Sequence, residues 1–599
     1  MNTPQLINLG PALVCALSWY GAGAVVPKRL LAQDALLRAT TRVALGMTVV
    51  AVGLYLIGRA GVFEQWFVAA ITVALAVVGA AVALRSWRRP VLPRGRLWWA
   101  LVGTTALALV LDLVAATAPP SSADALKYHL AVPDLWLDAG RVTDVFWQWI
   151  SFNPFAIELL FTQGLALSGG GGAGAVGALL AVAAAVAVYG LGRELAGGSE
   201  LAGAAAAALF SLQAIVTWEA TSAFIELGTS FFVALGAWHV VRYVRGPALE
   251  PAAWSGFAAG AAAGTKYVGV VIALLLGAYV AAAAVRARRG LDVAVASACA
   301  IAAGGVWYVK NLIVASNPVY PLFFGGKWWT PGSDEVVENL NRYGVDHGLL
   351  RLPILPLDLL VHGGEFDKGE YVGTAVFVAA IAAVLLRIRG VAALWLGVFA
   401  YLVVWAALSA QSRFLLPALA VLAAAGGAAV EAVLARSAVW RWAAGAAAAA
   451  GLLHWLVPSV VLTRQLLPSA LGLDSYAEAA QRLTGTYDAL HAIGRDAGDE
   501  RVAFEGYPHT FYFPGRALQL DAAEFAGDTP RPAYIERLRD ERVGMVVSTG
   551  VGMVASAGEL TPQLRGCVQR VRAYQARMVL SRARGDSVPL KFVLYRFSC

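Results

Sequence analysis

A chain of 599 residues with 59% hydrophobic and only 14% charged positions, and a mean hydropathy of +0.66, is not a soluble globular protein, since those carry about 25% charged residues. Apolar runs of about twenty residues recur through its first three quarters. Each is long enough to cross about 30 Å of hydrocarbon as a helix, and none shows the period-two alternation of a barrel strand. The formal net charge of +8 does not imply nucleic-acid binding, because Lys and Arg gather in short stretches between the apolar runs: RSWRRPVLPRG, VRARRG and ARSAVWRW. That is the positive-inside pattern of a membrane protein.

In chain order, the spans are expected near 6–26, 43–58, 63–84, 97–117, 171–191, 201–217, 222–243, 252–265, 267–285, 291–311, 371–387, 391–408, 414–433 and 440–461, about fourteen transmembrane helices. The first lacks a basic leading region and a cleavage site, so it reads as a retained helix. The uncharged opening MNTPQLINLG, followed by PKRLLAQDALLRATTR, puts the N-terminus outside. Counting from there, the five-Arg stretch 85–96 falls inside, and loops 118–153 and 312–370 and the tail after 462 fall outside. Segment 154–170 is apolar, short and Gly-terminated, as in a re-entrant helix. The Ala- and Gly-rich spans suit close helix packing. No internal repeat is visible, which weakens a transporter reading.

After residue 462 the spans cease and polar residues rise. RVAFEG and GMVVST read as strands, PRPAYIERLRDERV as an amphipathic helix and KFVLYRF as a closing strand, hence a small soluble α/β domain over 463–599. It contains no Gly-rich phosphate loop and no metal-ligand spacing. The fold class expected is an all-α polytopic bundle with a C-terminal soluble α/β domain. Of four cysteines, none in a CxxC pair, Cys15 and Cys299 read as packing residues. Cys567 and Cys599 can form a disulfide if the tail lies outside.

The stretch PPSSADALKYHLAVPDLWLDAG (119–140) breaks the apolar pattern where span 97–117 ends. On a helix Asp124 and Tyr128 share a face, with Lys127 beside them. Asp124 suits a general base or a metal ligand; capping a helix N-terminus suits it as well. Glu158, Glu219 and Glu226 stand near the outer ends of apolar runs, placed to hold a metal or an acceptor, or simply to be solvated. Lys266 is isolated between two apolar runs, and Lys310 and Arg413 repeat its placement. Together they could hold a lipid phosphate, Arg413 bidentately, while snorkelling to the interface is the plain alternative. Tyr320, in the rigid NPVYP, could line a sugar or prenyl site. His129, His347 and His362 match no metal motif; His129 adjoins Asp124 and could contact phosphate or acceptor.

DALKYHLAVPDLWLDAG followed by FNPFAIELLF resembles the first extracytoplasmic loop of GT-C glycosyltransferases, closest to bacterial members related to aminoarabinose transferases and protein O-mannosyltransferases. FIELGTSFFVALGAW, AAGTKYVGVV, WYVKNLIVASNPVYPLFF and SRFLLPALAV resemble the same members in the same order, over roughly residues 97–430. The resemblance implies an N-terminal addition over 1–96, a catalytic membrane module over 97–462, and Asp124 as the catalytic carboxylate. It further implies inverting transfer of a sugar from a polyprenyl-phosphate donor to a lipid, glycan or protein acceptor, on the periplasmic side of a bacterial cytoplasmic membrane. No cofactor is specified, and a divalent cation is left open. A lipid-linked-sugar transporter and a non-catalytic scaffold subunit are the other readings.

Overall fold

The computed structural model describes residues 3–86, 93, 95–327, 343–344, 349–520, 531–549, 560, 562–581 and 585–599; His347 lies outside them. The helices in chain order are α1 (Leu9–Ala22), α2 (Ala35–Arg59), α3 (Gln65–Ser86), α4 (Arg96–Ala116), α5 (Ala131–Asp138), α6 (Ala156–Leu195), α7 (Glu200–Ser211), α8 (Ala214–Ala220), α9 (Glu226–Arg245), α10 (Leu249–Ala263), α11 (Val268–Arg286), α12 (Gly290–Ala315), α13 (Leu355–Val361), α14 (Thr374–Leu385), α15 (Val391–Leu408), α16 (Leu416–Leu434) and α17 (Ala438–Thr463). This is a multi-pass membrane protein. A helix stands at each of the fourteen expected places, but among the described residues only ten are long and apolar enough to cross a membrane, or eleven if the bent pair α7–α8 is one span. The difference has a local cause. Helix α9 carries Glu226, Arg242 and Arg245, while α10 and α14 have 15 and 12 residues, too few for about 30 Å at 1.5 Å per residue.

The expected re-entrant segment is the first part of α6. Ser168 and Gly169 leave the helical region there, Gly169 at φ 69°, a conformation that costs glycine little. A methyl group on Gly164 would lie 2.7 Å from the backbone of Gly172 and Ala173, so residues 156–167 double back on the helix that follows. That longer arm is the centre of the bundle, packed by α9, α7 and α16. Small residues permit a close crossing between α10 and α12: a Cβ on Gly260 would stand 2.0 Å from the Ala300 carbonyl, and one on Gly304 2.3 Å from that of Gly260. This is the close approach for which such sequences suit membrane helices.

The C-terminal domain carries one five-stranded sheet in the order β2-β1-β3-β5-β4: β1 (Arg501–Glu505), β2 (Ala517–Leu520), β3 (Val543–Thr549), β4 (Val568–Val579) and β5 (Ser587–Phe597). β1 lies parallel to β2 and β3, and β5 antiparallel to β3 and β4. Strands β1, β3 and β5 and the helix Arg531–Asp540 stand where the sequence placed them. β4 was not legible, since VQRVRAYQARMV is largely solvent-facing and lacks an alternating apolar face. Tyr476–Thr484 opens with a capping box between Ser475 and Glu478.

Cys567 and Cys599 form a disulfide, Cα atoms 4.8 Å apart and 32 residues apart in sequence, that ties the end of the chain to the start of β4. Cys567→Ser is expected to destabilise this domain by about 3–4 kcal/mol on the chain-entropy estimate for such a loop. The check is the domain's melting with and without reductant: wild type should fall to the variant's midpoint when reduced, and coincident midpoints throughout would refute the estimate.

Candidate active site

α4 ends at Ala116, and the chain then turns across the end of the bundle. Ser122 anchors it there, its hydroxyl donating to the Ser222 carbonyl (2.5 Å). Residues Ala125–His129 form one π-turn that Asp124 precedes, closed by the Leu130 N–H on the Ala125 carbonyl at 3.0 Å. Such wide turns recur at functional sites. The Asp124 carboxylate makes no capping bond to this turn, which disposes of the capping alternative. Instead Arg413 Nη1 donates to Asp124 Oδ2 at 2.5 Å across 289 residues of sequence. Tyr128, on the expected shared face, is buried beside the carboxylate. Burial opposes ionisation of Asp124, but the Arg413 guanidinium and its hydrogen bond, together with His129 and the Tyr128 hydroxyl, outweigh it and hold the carboxyl well below the usual carboxylate range.

Arg413 sits on the short turn Ser412–Leu415 that leads into α16, its Nε donating to Gln411 Oε1 at 3.0 Å. The next residue, Phe414, offers its ring to two cations: Arg413 at 5.3 Å and Lys266 at 4.2 Å. Lys266, in the turn between α10 and α11, also pairs with Glu226 Oε1 at 2.9 Å. Glu219 is fully buried on α8, close enough to feel the charges of Glu226, Arg413 and Lys266. Asp124, Arg413, Lys266 and Glu226 are therefore linked through the Phe414 ring, with Tyr128 and Glu219 buried beside them. Below this cluster, an apolar groove runs between α9, α11, α15 and α16, lined by Val233, Ile272, Leu276, Tyr401 and Pro417 among others. Tyr401 ties groove to cluster through its hydroxyl on the Phe414 carbonyl (2.5 Å).

Other expected residues stand elsewhere. Lys310 points its ammonium at the carbonyls of Ser151, Phe152 and Asn153, each at 3.4 Å, and does not join Lys266 and Arg413. Tyr320 is buried with its ring on Phe152 and its carbonyl accepting from the Tyr267 hydroxyl at 2.6 Å. Lys127 presents its carbonyl to Gln519 Nε2 at 3.0 Å. His129 and Glu158 lie behind the π-turn as a buried pair, Nδ1 to Oε1 at 2.8 Å. His362 lies beside Asp358, just after α13. Among the described residues no group of three or more His, Cys, Asp or Glu is placed to hold a metal ion.

A cavity of about 360 Å³ opens over the Asp124–Arg413 pair, between the end of the bundle and the C-terminal domain. Its walls include residues that sequence reading did not single out: Trp218, Tyr343, Asp367, Lys368, Tyr371 and Gln411 from the membrane part, and Thr486, Tyr507 and His509 from the domain. Asp367 and Lys368 both take left-handed backbone conformations, φ 50° and 73°, uncommon for non-glycine residues. Ser412 secures them by donating to the Asp367 carbonyl. Burial raises the Asp367 carboxyl above its ordinary range even though Arg413 and Lys368 pull the other way. The only prior signal was the charged run FDKGE just before span 371–387.

No protein-family model matches the chain, and no curated protein does. Solved structures do. ArnT from Cupriavidus metallidurans aligns in its apo state at 16% identity and TM-score 0.50, over 83% of this chain and 97% of that one. The same protein bound to undecaprenyl phosphate aligns at 15% and 0.50, over 83% and 98%. The oligosaccharyltransferase of Archaeoglobus fulgidus aligns at 15% and 0.47, over 75% and 69%. The ArnT alignments run over nearly the whole of that chain, and the protein has the GT-C fold.

Proposed function

We propose that this protein is a membrane glycosyltransferase that takes a sugar from a polyprenyl-phosphate donor and passes it, with inversion, to an acceptor hydroxyl at the periplasmic face. The observation that carries the reading is the Asp124–Arg413 pair in the floor of a cavity roofed by the C-terminal domain. The donor's prenyl tail would follow the apolar groove below Phe414, and its phosphate would meet Arg413 and Lys266. Lys368, which lines the same cavity, supplies the third cation in place of Lys310. That the ArnT neighbour was crystallised with undecaprenyl phosphate supports the choice of donor. The Cys567–Cys599 disulfide supports an oxidising compartment for the domain.

In the reaction the acceptor oxygen attacks the anomeric carbon, whose bond to the phosphate oxygen breaks, the electron pair leaving with the phosphate. Negative charge grows on that phosphate, so fixed cations in a poorly hydrated cleft stabilise the transition state more than the ground state. A carboxylate held as low as Asp124 is a weak base. Its part is to accept a hydrogen bond from the acceptor hydroxyl and orient it, receiving the proton late, once the forming C–O bond has made it acidic.

The test is transfer of labelled sugar from a polyprenyl-phosphate donor by purified protein in lipid, wild type against Asp124→Asn. Transfer lost with the fold retained supports the reading; equal activity ends it. Lys310→Met separates the two cation assignments. Donor KM is expected to stay within about threefold of wild type, while the melting midpoint falls because a half-buried hydrogen-bond donor to three carbonyls, worth about 1 kcal/mol, is removed. A large rise in donor KM would return Lys310 to the phosphate site.

A further inference from the structure

The C-terminal domain touches the membrane part at the loop that carries Asp124, and it does so through the backbone. Tyr512, 7% exposed, donates its hydroxyl to the Pro120 carbonyl at 2.6 Å. The Phe511 N–H reaches the Leu126 carbonyl at 3.3 Å. Gln519 on β2 donates through Nε2 to the Lys127 carbonyl at 3.0 Å and to Thr510 Oγ1 at 2.8 Å. Its Oε1 accepts from Gln148 Nε2 at 2.7 Å, which fixes the amide at both ends. The loop is therefore gripped four residues before Asp124 and two to three residues after it, by one segment of the domain, 510–519.

That segment continues from Tyr507 and His509, which line the cavity over Asp124. Cavity wall and loop anchor are one piece of chain. The bundle holds an Asp124 oxygen through Arg413 and the chain two residues earlier through the Ser122 hydroxyl on the Ser222 carbonyl. The domain adds the grips on the Pro120, Leu126 and Lys127 carbonyls, which fix the backbone on both sides of Asp124.

We propose that Tyr512 and Gln519 are positioning residues for the transfer reaction: the outer domain holds the Asp124 loop in register over Arg413. This rests on the transferase reading above. Misplacing a reacting group by about 1 Å can cost about a hundredfold in rate, and neither side chain touches the reacting atoms, so their loss falls on kcat rather than on substrate binding.

The experiment uses full-length protein in nanodiscs and two readouts, hydrogen exchange and sugar transfer. In Tyr512→Phe and in Gln519→Ala, amides across 121–130 are expected to exchange about tenfold faster, while β1 and β3 keep their protection. kcat is expected to fall about tenfold to a hundredfold, with donor KM within about threefold. Cys567→Ser is the matched control, because it loosens the domain without touching the loop; it is expected to leave loop exchange and kcat as in wild type. Unchanged loop exchange in both variants overturns the proposal, and so does a Cys567→Ser variant that reproduces their losses. If wild type transfers no sugar, the transferase reading fails by itself, and the exchange result alone then decides whether the domain holds the loop.

Discussion

Replacing Asp124 with Asn is expected to reduce sugar transfer by about 10²–10⁴-fold with the fold retained, at a melting midpoint lowered by the loss of the charge that pairs with Arg413. The amide keeps the size of the carboxylate and one oxygen for Arg413 Nη1, which stands 2.5 Å from Oδ2. It loses the negative charge that orients the acceptor hydroxyl and receives its proton. Donor affinity should hold or improve, because Arg413, no longer neutralised, becomes freer to meet phosphate. A fall in donor binding equal to the fall in rate would instead place Asp124 in a purely structural role. Asp124→Glu offers a finer check: the charge is kept but carried one methylene further, so activity should be low yet measurable.

The second large effect is at Arg413. Arg413→Gln removes the cation that holds Asp124 ionised and leaves the carboxyl subject to burial, the leading influence in the opposite direction. The sign follows directly. In wild type the folded-state value lies below the unfolded one, so the pair stabilises the fold above the unfolded carboxyl range, and this stability is lost only as pH falls through the depressed value. Without Arg413 the value moves upward, and the acid limb of the rate profile is expected to move into the mildly acidic range, where wild type is flat. Breaking the pair should also destabilise the fold, by less than the 3–5 kcal/mol of a fully buried pair, because the Asp124 side chain is 25% exposed. A rate–pH profile parallel to that of wild type would show that Arg413 does not set the state of Asp124. Arg413→Lys, which keeps the charge without the fork, should restore the wild-type acid limb but not full donor affinity.

How much of the site was legible depended on distance along the chain. Asp124 and Tyr128 are four residues apart, so local geometry was enough to place them together. Glu226 and Lys266 were each conspicuous as charges in apolar surroundings, yet nothing in the sequence says that they pair across 40 residues. Lys310 shows the limit most plainly. Its position along α12 gives its depth, but depth says nothing of direction around the helix axis, and α12 turns it toward the Phe152 carbonyl instead of Phe414. Asp367, Lys368, Tyr507 and His509 come from segments that only folding brings over Asp124.

Sequence by itself determined the solvent this protein lives in, the order of its helices, the ends at which its polar loops gather and the existence of a strand-bearing tail. Each of these follows from hydropathy and charge summed along short windows, where the energy of burying a residue in lipid dominates. The tertiary structure alone decided which cations face the carboxylate, that Asp124 pairs with Arg413 instead of capping a turn, and that the outer domain grips the loop through Tyr512 and Gln519. Those outcomes depend on helix rotation and on hydrogen bonds between groups hundreds of residues apart, whose free energies arise only when the two surfaces meet.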